Sequence, residues 1–289
     1  MEVSSLGRFA GFVTLLVMAG VLMSGSLALA DDTADFDQTR RLALHEDIAA
    51  QNKLGTLYAK GHGVSQDYSQ AIYWFQRAAE QGEADAQFNL GLLYYKGEVV
   101  RQNYTQAINW FGKAAKQRHK GALANLDEVH KEITTLRVSA DQGKVEALVS
   151  LGDLYADGNG VSQDYGYAVD LYSKAVSQGY AVAQYKLGLM YEEGKGVPLD
   201  FVQSVEWYRK AIENKDAAAK YYLGRMYHNG RGVPRDNVYA YAWIALAADQ
   251  GDKNAISNLG FAAGLLTPQQ LIQARELVVQ LKSIDSNKP

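Results

Sequence analysis

A chain of 289 residues with 29 basic against 32 acidic side chains and a net charge of -3 lacks the basic surface that nucleic-acid binding requires. The absence of cysteine excludes a disulfide framework, thiolate metal sites, a cysteine nucleophile and an acylated cysteine. With 47% apolar and 21% charged residues the chain can form a packed core, and 27 glycines beside 19 tyrosines and only 4 prolines point to an internal repeat.

The amino terminus reads as an export signal. Arg8 closes a short n-region, the stretch from Phe9 to Met23 is apolar, and Ala28-Leu29-Ala30 is a small-x-small cleavage signature before Asp31. Residues 1–30 are therefore expected to be a signal peptide cleaved between Ala30 and Asp31, leaving the protein in the periplasm or outside the cell. The competing reading is a retained membrane anchor, since the 22 residues from Phe9 to Ala30 carry no charge.

Beyond Asp31 a fixed period governs the chain. Leu54, Leu90, Leu126, Leu151, Leu187, Leu223 and Leu259 follow one another at steps of 36, 36, 25, 36, 36 and 36 residues. A tyrosine stands four residues after five of these leucines (Tyr58, Tyr94, Tyr155, Tyr191, Tyr227). Gly-x-Gly-Val turns follow at Gly61, Gly158, Gly194 and Gly230, then Asp67, Asn103, Asp164, Asp200 and Asp236. An aromatic pair and two small residues end the unit, as in Trp74-Phe75 with Ala78-Ala79.

Each recurring residue has a physical reason. Ala86, Leu90, Leu93 and Tyr94 form one stripe of a first helix, as do Ala183, Leu187, Met190 and Tyr191. Gly61, Gly97, Gly158, Gly194 and Gly230 end that helix in a left-handed conformation. Asp67 caps a second helix, and Gln70 three residues on predicts a reciprocal capping box, repeated at Asn103 with Gln106 and at Asp200 with Gln203. A glycine inside a helix costs about 1 kcal/mol against alanine, so its return at Gly55, Gly91, Gly152, Gly188 and Gly224 predicts a packing role. The unit is a helical hairpin that buries its apolar face by stacking on neighbours.

This pattern resembles the Sel1-like repeat, a relative of the tetratricopeptide repeat, over nearly the whole chain after Asp31. The resemblance implies an all-α, right-handed superhelical solenoid of α/α hairpins that acts as an interaction scaffold, a type common among exported bacterial proteins. The expected organisation is an amino-terminal half-repeat (31–49), two repeats (50–121), a truncated repeat (122–146), three repeats (147–254) and carboxy-terminal capping helices (255–289). In the second unit Val99 replaces the second turn glycine and Arg118 replaces Gly82, which predicts altered turns. The truncated unit lacks the glycine loop, so Ala122 to Ala140 reads as one long helix or a kinked pair. Thr267-Pro268-Gln269-Gln270 starts a last helix, expected to cap the open end with Leu277, Val278 and Leu281.

Catalytic chemistry is not legible. His45-Glu46 lacks the second histidine of a zinc helix, Gly158-Asn159-Gly160 lacks the bidentate glutamate of a calcium loop, and Gly194-Lys195-Gly196 is not a phosphate loop. No catalytic residue, cofactor or metal is expected. Trp74, Trp110, Trp207 and Trp243 share one repeat position and read as core. Arg77, Glu80, Lys113, Lys116, Arg209 and Lys210 read as solvated outer faces. Opposite the buried stripe of the first helices stand Phe88, Leu92 and Tyr95, then Tyr185 and Leu189, then Tyr221, Arg225 and His228, with Asp153, Glu192 and Glu193 adding acid. These side chains are candidates for a groove that takes a protein or peptide partner, and contact between adjacent repeats is the alternative. The expectation is a monomeric, non-catalytic exported scaffold without nucleic-acid binding or membrane insertion after cleavage. The rival classes are a cell-wall or penicillin-hydrolysing enzyme and a membrane-tethered envelope scaffold.

Overall fold

The computed structural model describes residues 32–286, which are helices joined by short turns, with no strand among the described residues. The expected signal segment 1–30 lies outside them. The chain divides into two compact units, one up to His130 and one from Lys131 on. In chain order the helices are α1 (residues 32–44), α2 (Ile48–Lys60), α3 (Tyr68–Glu80), α4 (Ala84–Lys96), α5 (Tyr104–Lys116) and α6 (Lys120–Asp141). They continue with α7 (Val145–Asp157), α8 (Tyr165–Val176), α9 (Ala181–Glu193), α10 (Phe201–Glu213), α11 (Ala217–Asn229), α12 (Asn237–Asp249), α13 (Lys253–Gly264) and α14 (Pro268–Ser286). Hairpins form between α2 and α3, α4 and α5, α7 and α8, α9 and α10, and α11 and α12. Each stacks on the next within its unit through pairs such as α3 with α4 and α10 with α11.

The mid-helix glycines are where the two helices of a hairpin meet. A Cβ added at Gly55 would stand 2.7 Å from the Phe75 ring, and one at Gly152 would stand 2.6 Å from Tyr172. Gly91 faces Phe111, Gly188 faces Tyr208 and Gly224 faces Ile244 in the same way. The loop that reverses the chain is closed at both ends. Gly61, Gly97, Gly158, Gly194 and Gly230 adopt the left-handed conformation at the end of the first helix. The side chain of Asp67 accepts from the Gln70 amide at 3.0 Å, as Asn103 does from Gln106 at 2.9 Å.

The capping box itself takes another form. The cap's own amide donates to the repeat tyrosine's carbonyl, Asp67 to Tyr58 at 3.0 Å, Asn103 to Tyr94 at 2.9 Å and Asp200 to Tyr191 at 3.0 Å. Asp164 with Tyr155 and Asp236 with Tyr227 repeat the bond. The donor that Gln70, Gln106 or Gln203 would have met is thus spent on tying the two helices together. The reciprocal box does form at α14, where the Thr267 amide donates to Gln270 Oε1 at 3.0 Å and the Gln270 amide to Thr267 Oγ1 at 3.3 Å.

Buried glutamines join hairpin to hairpin. Gln87 Nε2 donates to the Ala79 carbonyl at 3.0 Å, and Gln87 Oε1 accepts from Gln117 at 2.9 Å. Gln51 makes the equivalent pair with Ala43 and Gln81, and Gln184 accepts from Asn214. Lys220 occupies the same register position and is 1% exposed. On the outer faces the exposed lysines also lie over tryptophan rings: Lys113 is 3.9 Å from the Trp110 ring centre and Lys210 4.2 Å from that of Trp207.

Two departures resolve as follows. The truncated unit is one 22-residue helix, α6, whose Ala122, Val129, Ile133 and Ala140 are buried at helical spacing. The turns of the second unit divide: Gly97 is left-handed, but Val99 lacks the positive φ that Gly63, Gly160, Gly196 and Gly232 share, so that loop is altered as expected, whereas Arg118 keeps the other turn, with φ +63° where Gly82 takes +95°. The His119 amide still donates to Ala114, as Glu83 does to Ala78. The hydrogen bonds of the turn outweigh the steric cost of a side chain there. At the carboxy-terminal end α14 lies on α12, adding Leu271 and Ala274 to the core of Tyr241, Ile244 and Ala247. It does not cover α13, whose Gly260 has no atom within 4 Å of an added Cβ.

Two stability predictions follow from these turns. A left-handed conformation costs an L-residue roughly 1–2 kcal/mol, partly offset by the flexibility glycine adds to the unfolded chain, so Arg118→Gly should stabilise by about 0.5–1 kcal/mol in denaturant unfolding. An unchanged or lowered midpoint would contradict the strain. Asp216 caps α11 by accepting from Ala219 at 2.8 Å, and burial pushes its carboxyl above the ordinary value. A raised folded pKa means that stability falls as pH rises through that interval and stays lower above it. Asp216→Asn keeps an acceptor and removes the charge, so it should raise the unfolding midpoint at pH 7 and leave it unchanged below the ordinary aspartate range. Equal shifts at both pH values would reject this account.

Candidate functional site

The candidate groove residues are placed by the first helices, and the structure distributes them over distinct settings. On α4, Phe88 stacks on His119 with ring centres 4.5 Å apart and tilts against Phe111 at 5.9 Å. His119 in turn pairs with Asp85 at 3.1 Å and accepts from the Ala122 amide at 3.0 Å, capping the start of α6. Phe88 is therefore held between its own hairpin and the next helix. Tyr95 packs edge-on against Phe111 at 6.4 Å. Leu92 lines a cleft of about 340 Å³ with Thr56, Lys60, Tyr68, Asn89 and Val99.

In the second unit Tyr185 lies parallel to Tyr222 at 5.9 Å, and Tyr222 lies parallel to Tyr208 at 5.6 Å, a three-ring stack across α9, α10 and α11. Leu189 packs on the core formed by α10 and α11. Tyr221, Arg225 and His228 converge. They line a small cavity of about 70 Å³ together with Asn237, Asn258 and Phe261. Asn258 Nδ2 donates to the Tyr221 hydroxyl at 3.3 Å, and His228 Nδ1 stands 3.3 Å from Asn237 Oδ1. Phe261 meets the His228 ring edge-on at 6.0 Å while remaining 62% exposed. Aromatic faces beside amide and imidazole groups suit a peptide, whose apolar side chains and backbone polar groups need both kinds of contact.

Acid on this face is already partnered. Glu192 is 7% exposed, accepts from the Tyr208 hydroxyl at 2.7 Å and pairs with Arg225 at 3.3 Å. Asp153 accepts from Tyr172 at 2.6 Å and pairs with Lys186 at 2.9 Å. Burial first, and then the facing carboxylate, push the phenols of Tyr172 and Tyr208 above their ordinary value. Both phenols therefore remain hydrogen-bond donors. Among the described residues no group of metal-ligating side chains comes together.

Asn237, Asn258 and Phe261 are members of the site that sequence reasoning passes over. A signal for one exists: Phe261 continues by 36 residues the register of Leu189 and Arg225. The two asparagines join only because α11, α12 and α13 stack, a tertiary fact with no local signature.

Comparison with known proteins agrees with this architecture. The model of the Sel1 repeat matches residues 48–83, 84–119, 145–180, 181–216 and 217–252, more than half of the chain. No curated protein matches. Among solved structures, a protective antigen of uropathogenic Escherichia coli strains displaying an SLR fold is 35% identical, over 83% of this chain and 54% of that one, with a TM-score of 0.43. The chain thus spans about half the length of that antigen. A Sel1 repeat protein from Oxalobacter formigenes is 32% identical, over 78% of each chain, with a TM-score of 0.44. With five matched repeats and that identity over most of its length, the chain belongs to the Sel1 repeat family.

Proposed function

We propose that this chain is an exported, non-catalytic interaction scaffold that binds a protein or peptide partner through the first-helix face of its second unit. Sel1-repeat proteins are generally protein-interaction scaffolds and typically non-catalytic. The observation that carries the site is the convergence of Tyr221, Arg225 and His228 with an exposed Phe261 and two asparagines on one concavity. Phe88 serves the stacking of repeats within the first unit, and Tyr185 and Leu189 that within the second. Export rests on the Arg8, Phe9–Met23 and Ala28-Leu29-Ala30 pattern. No described helix is long and apolar enough to cross a membrane.

The test begins with crosslinking in the native envelope to recover the partner. His228→Ala combined with Phe261→Ala should weaken that partner at least tenfold, because aromatic anchors carry a disproportionate share of binding energy. The unfolding midpoint should move little, since Phe261 is largely exposed. Wild-type affinity in a folded double variant would remove the site. For export, amino-terminal sequencing of the mature protein should begin at Asp31, and an intact Met1 in a membrane fraction would overturn cleavage.

A further inference from the structure

Five hairpins of this chain show what covers a first helix. The mid-helix glycine lies under a ring or β-branched side chain twenty residues later: Gly55 under Phe75, Gly91 under Phe111, Gly152 under Tyr172, Gly188 under Tyr208 and Gly224 under Ile244. Two further positions are buried in all five. The leucine just before the glycine is buried in each (Leu54, Leu90, Leu151, Leu187, Leu223), as is the residue three before it (Gln51, Gln87, Leu148, Gln184, Lys220).

α13 is a first helix in the same register, and two of the three positions are open in it while the third is only partly closed, by packing on the α12 core. Gly260 has nothing within 4 Å of an added Cβ, Leu259 is half-buried, and Ile256, in the place of the buried glutamines, is 56% exposed. The helix that follows it in sequence, α14, lies on α12 instead. α13 therefore presents an apolar slot of known shape whose occupant is absent from its own hairpin.

We propose that this slot receives an amphipathic helix from another protein, seated with an aromatic or β-branched side chain over Gly260 and small residues where the two backbones approach. Among the described helices a second copy offers no match: α14 exposes Ile272 and Val279, but Arg275 and Lys282 stand where the small residues would have to be. The second helices α3, α5, α8, α10 and α12 are already seated on the glycines of their own hairpins. α1 stands in second-helix register, with the Asp32 carbonyl against Gly63 as the Tyr165 carbonyl lies against Gly196. Yet its residue at the ring position, Thr39, is already buried at 3% exposure. The proposal rests on the scaffold reading but names a different surface, so the two fail separately.

The probe is a fluorescein-labelled peptide of residues 200–214, the α10 sequence, locked as a helix by a lactam between the exposed Glu206 and Lys210. It should bind the full chain, and Tyr208→Ala in the peptide or Gly260→Leu in the chain should each weaken binding at least tenfold. Gly260→Leu should leave the unfolding midpoint unchanged or raised, because leucine favours a helix and meets open space. Gly188→Leu, measured beside it, should lower the midpoint by forcing the Tyr208 ring away. Absence of peptide binding, or equal binding by Gly260→Leu, overturns the slot. So does a midpoint that falls in Gly260→Leu as in Gly188→Leu. A wild-type dimer that Gly260→Leu turns into monomer would replace the foreign helix by a second copy and overturn the assignment as stated. Loss of partner binding in the His228→Ala, Phe261→Ala variant does not bear on the peptide, whose contacts centre on Gly260.

Discussion

The packing of each hairpin depends on one close approach, a helical glycine under the ring of the opposite helix. A glycine in a helix interior costs about 1 kcal/mol relative to alanine. A buried aromatic side chain removes roughly 150–250 Å² from water, at about 25 cal/mol per Å², so the ring outweighs the glycine several-fold. The gain is realised only at contact distance, because dispersion falls away once a gap opens. Spacing between the helices is thus set by what the glycine lacks, and Phe75, Phe111, Tyr172 and Tyr208 are buried because Gly55, Gly91, Gly152 and Gly188 leave room for them. Ile244 shows that the site accepts a branched aliphatic chain as well.

Once the helices are this close, the short loop between them has little freedom, and its polar groups must find partners on the helices themselves. The bond from each cap amide to the repeat tyrosine carbonyl meets that demand at the second helix. Glutamine side chains just before the cap meet it at the first: Gln66, Gln102 and Gln163 donate to the carbonyls of Ala59, Tyr95 and Ala156 at 2.7, 2.9 and 2.8 Å. A unit without the loop has neither the left-handed glycine nor the cap that reverses the chain. The helix then continues, which is why α6 runs for 22 residues.

These constraints explain what could be read in the sequence. The period, the hairpin, the helix-ending glycines and the packing role of Gly55 and its equivalents are local or strictly periodic features, and the structure contains them. The capping box was misread because the cap amide has two possible acceptors, and the tertiary one, nine residues upstream, is invisible to a three-residue motif. Arg118 suggested a changed turn because residue preference is weak beside the amide bonds that hold the turn. For the site, Tyr221, Arg225 and His228 were legible by projection on one helix, whereas Asn237 and Asn258 belong to two others. Glu192 looked like surface acid, and only the approach of Tyr208 and Arg225 reveals it as buried.

Glu192 also shows how the choice of ring changes the coupling between neighbours. Where the ring is Phe75 or Phe111, it has no polar tip, and the facing positions of the first helix carry no carboxylate. Where it is Tyr172 or Tyr208, the hydroxyl needs an acceptor when buried, and Asp153 or Glu192 provides one. Glu192, drawn that far inward, needs a cation, whereas Asp153 stays partly exposed; in neither case is the partner a residue of the same hairpin. Lys186 and Arg225 come from the first helix of the next repeat. A single hydroxyl thereby converts contact within a hairpin into an electrostatic tie between hairpins, stronger for being partly shielded from water. In the first unit the ties between neighbours are the stacking of Phe88 on His119, the His119–Asp85 pair and the hydrogen bond from Asn89 Nδ2 to Asn52 Oδ1 at 3.1 Å, none of which involves a buried carboxylate. The second unit's stack is therefore fixed by charge as well as by shape, and the concavity around Tyr221, Arg225 and His228 is built on such a joint, because the arginine that lines it is the same one that holds Glu192.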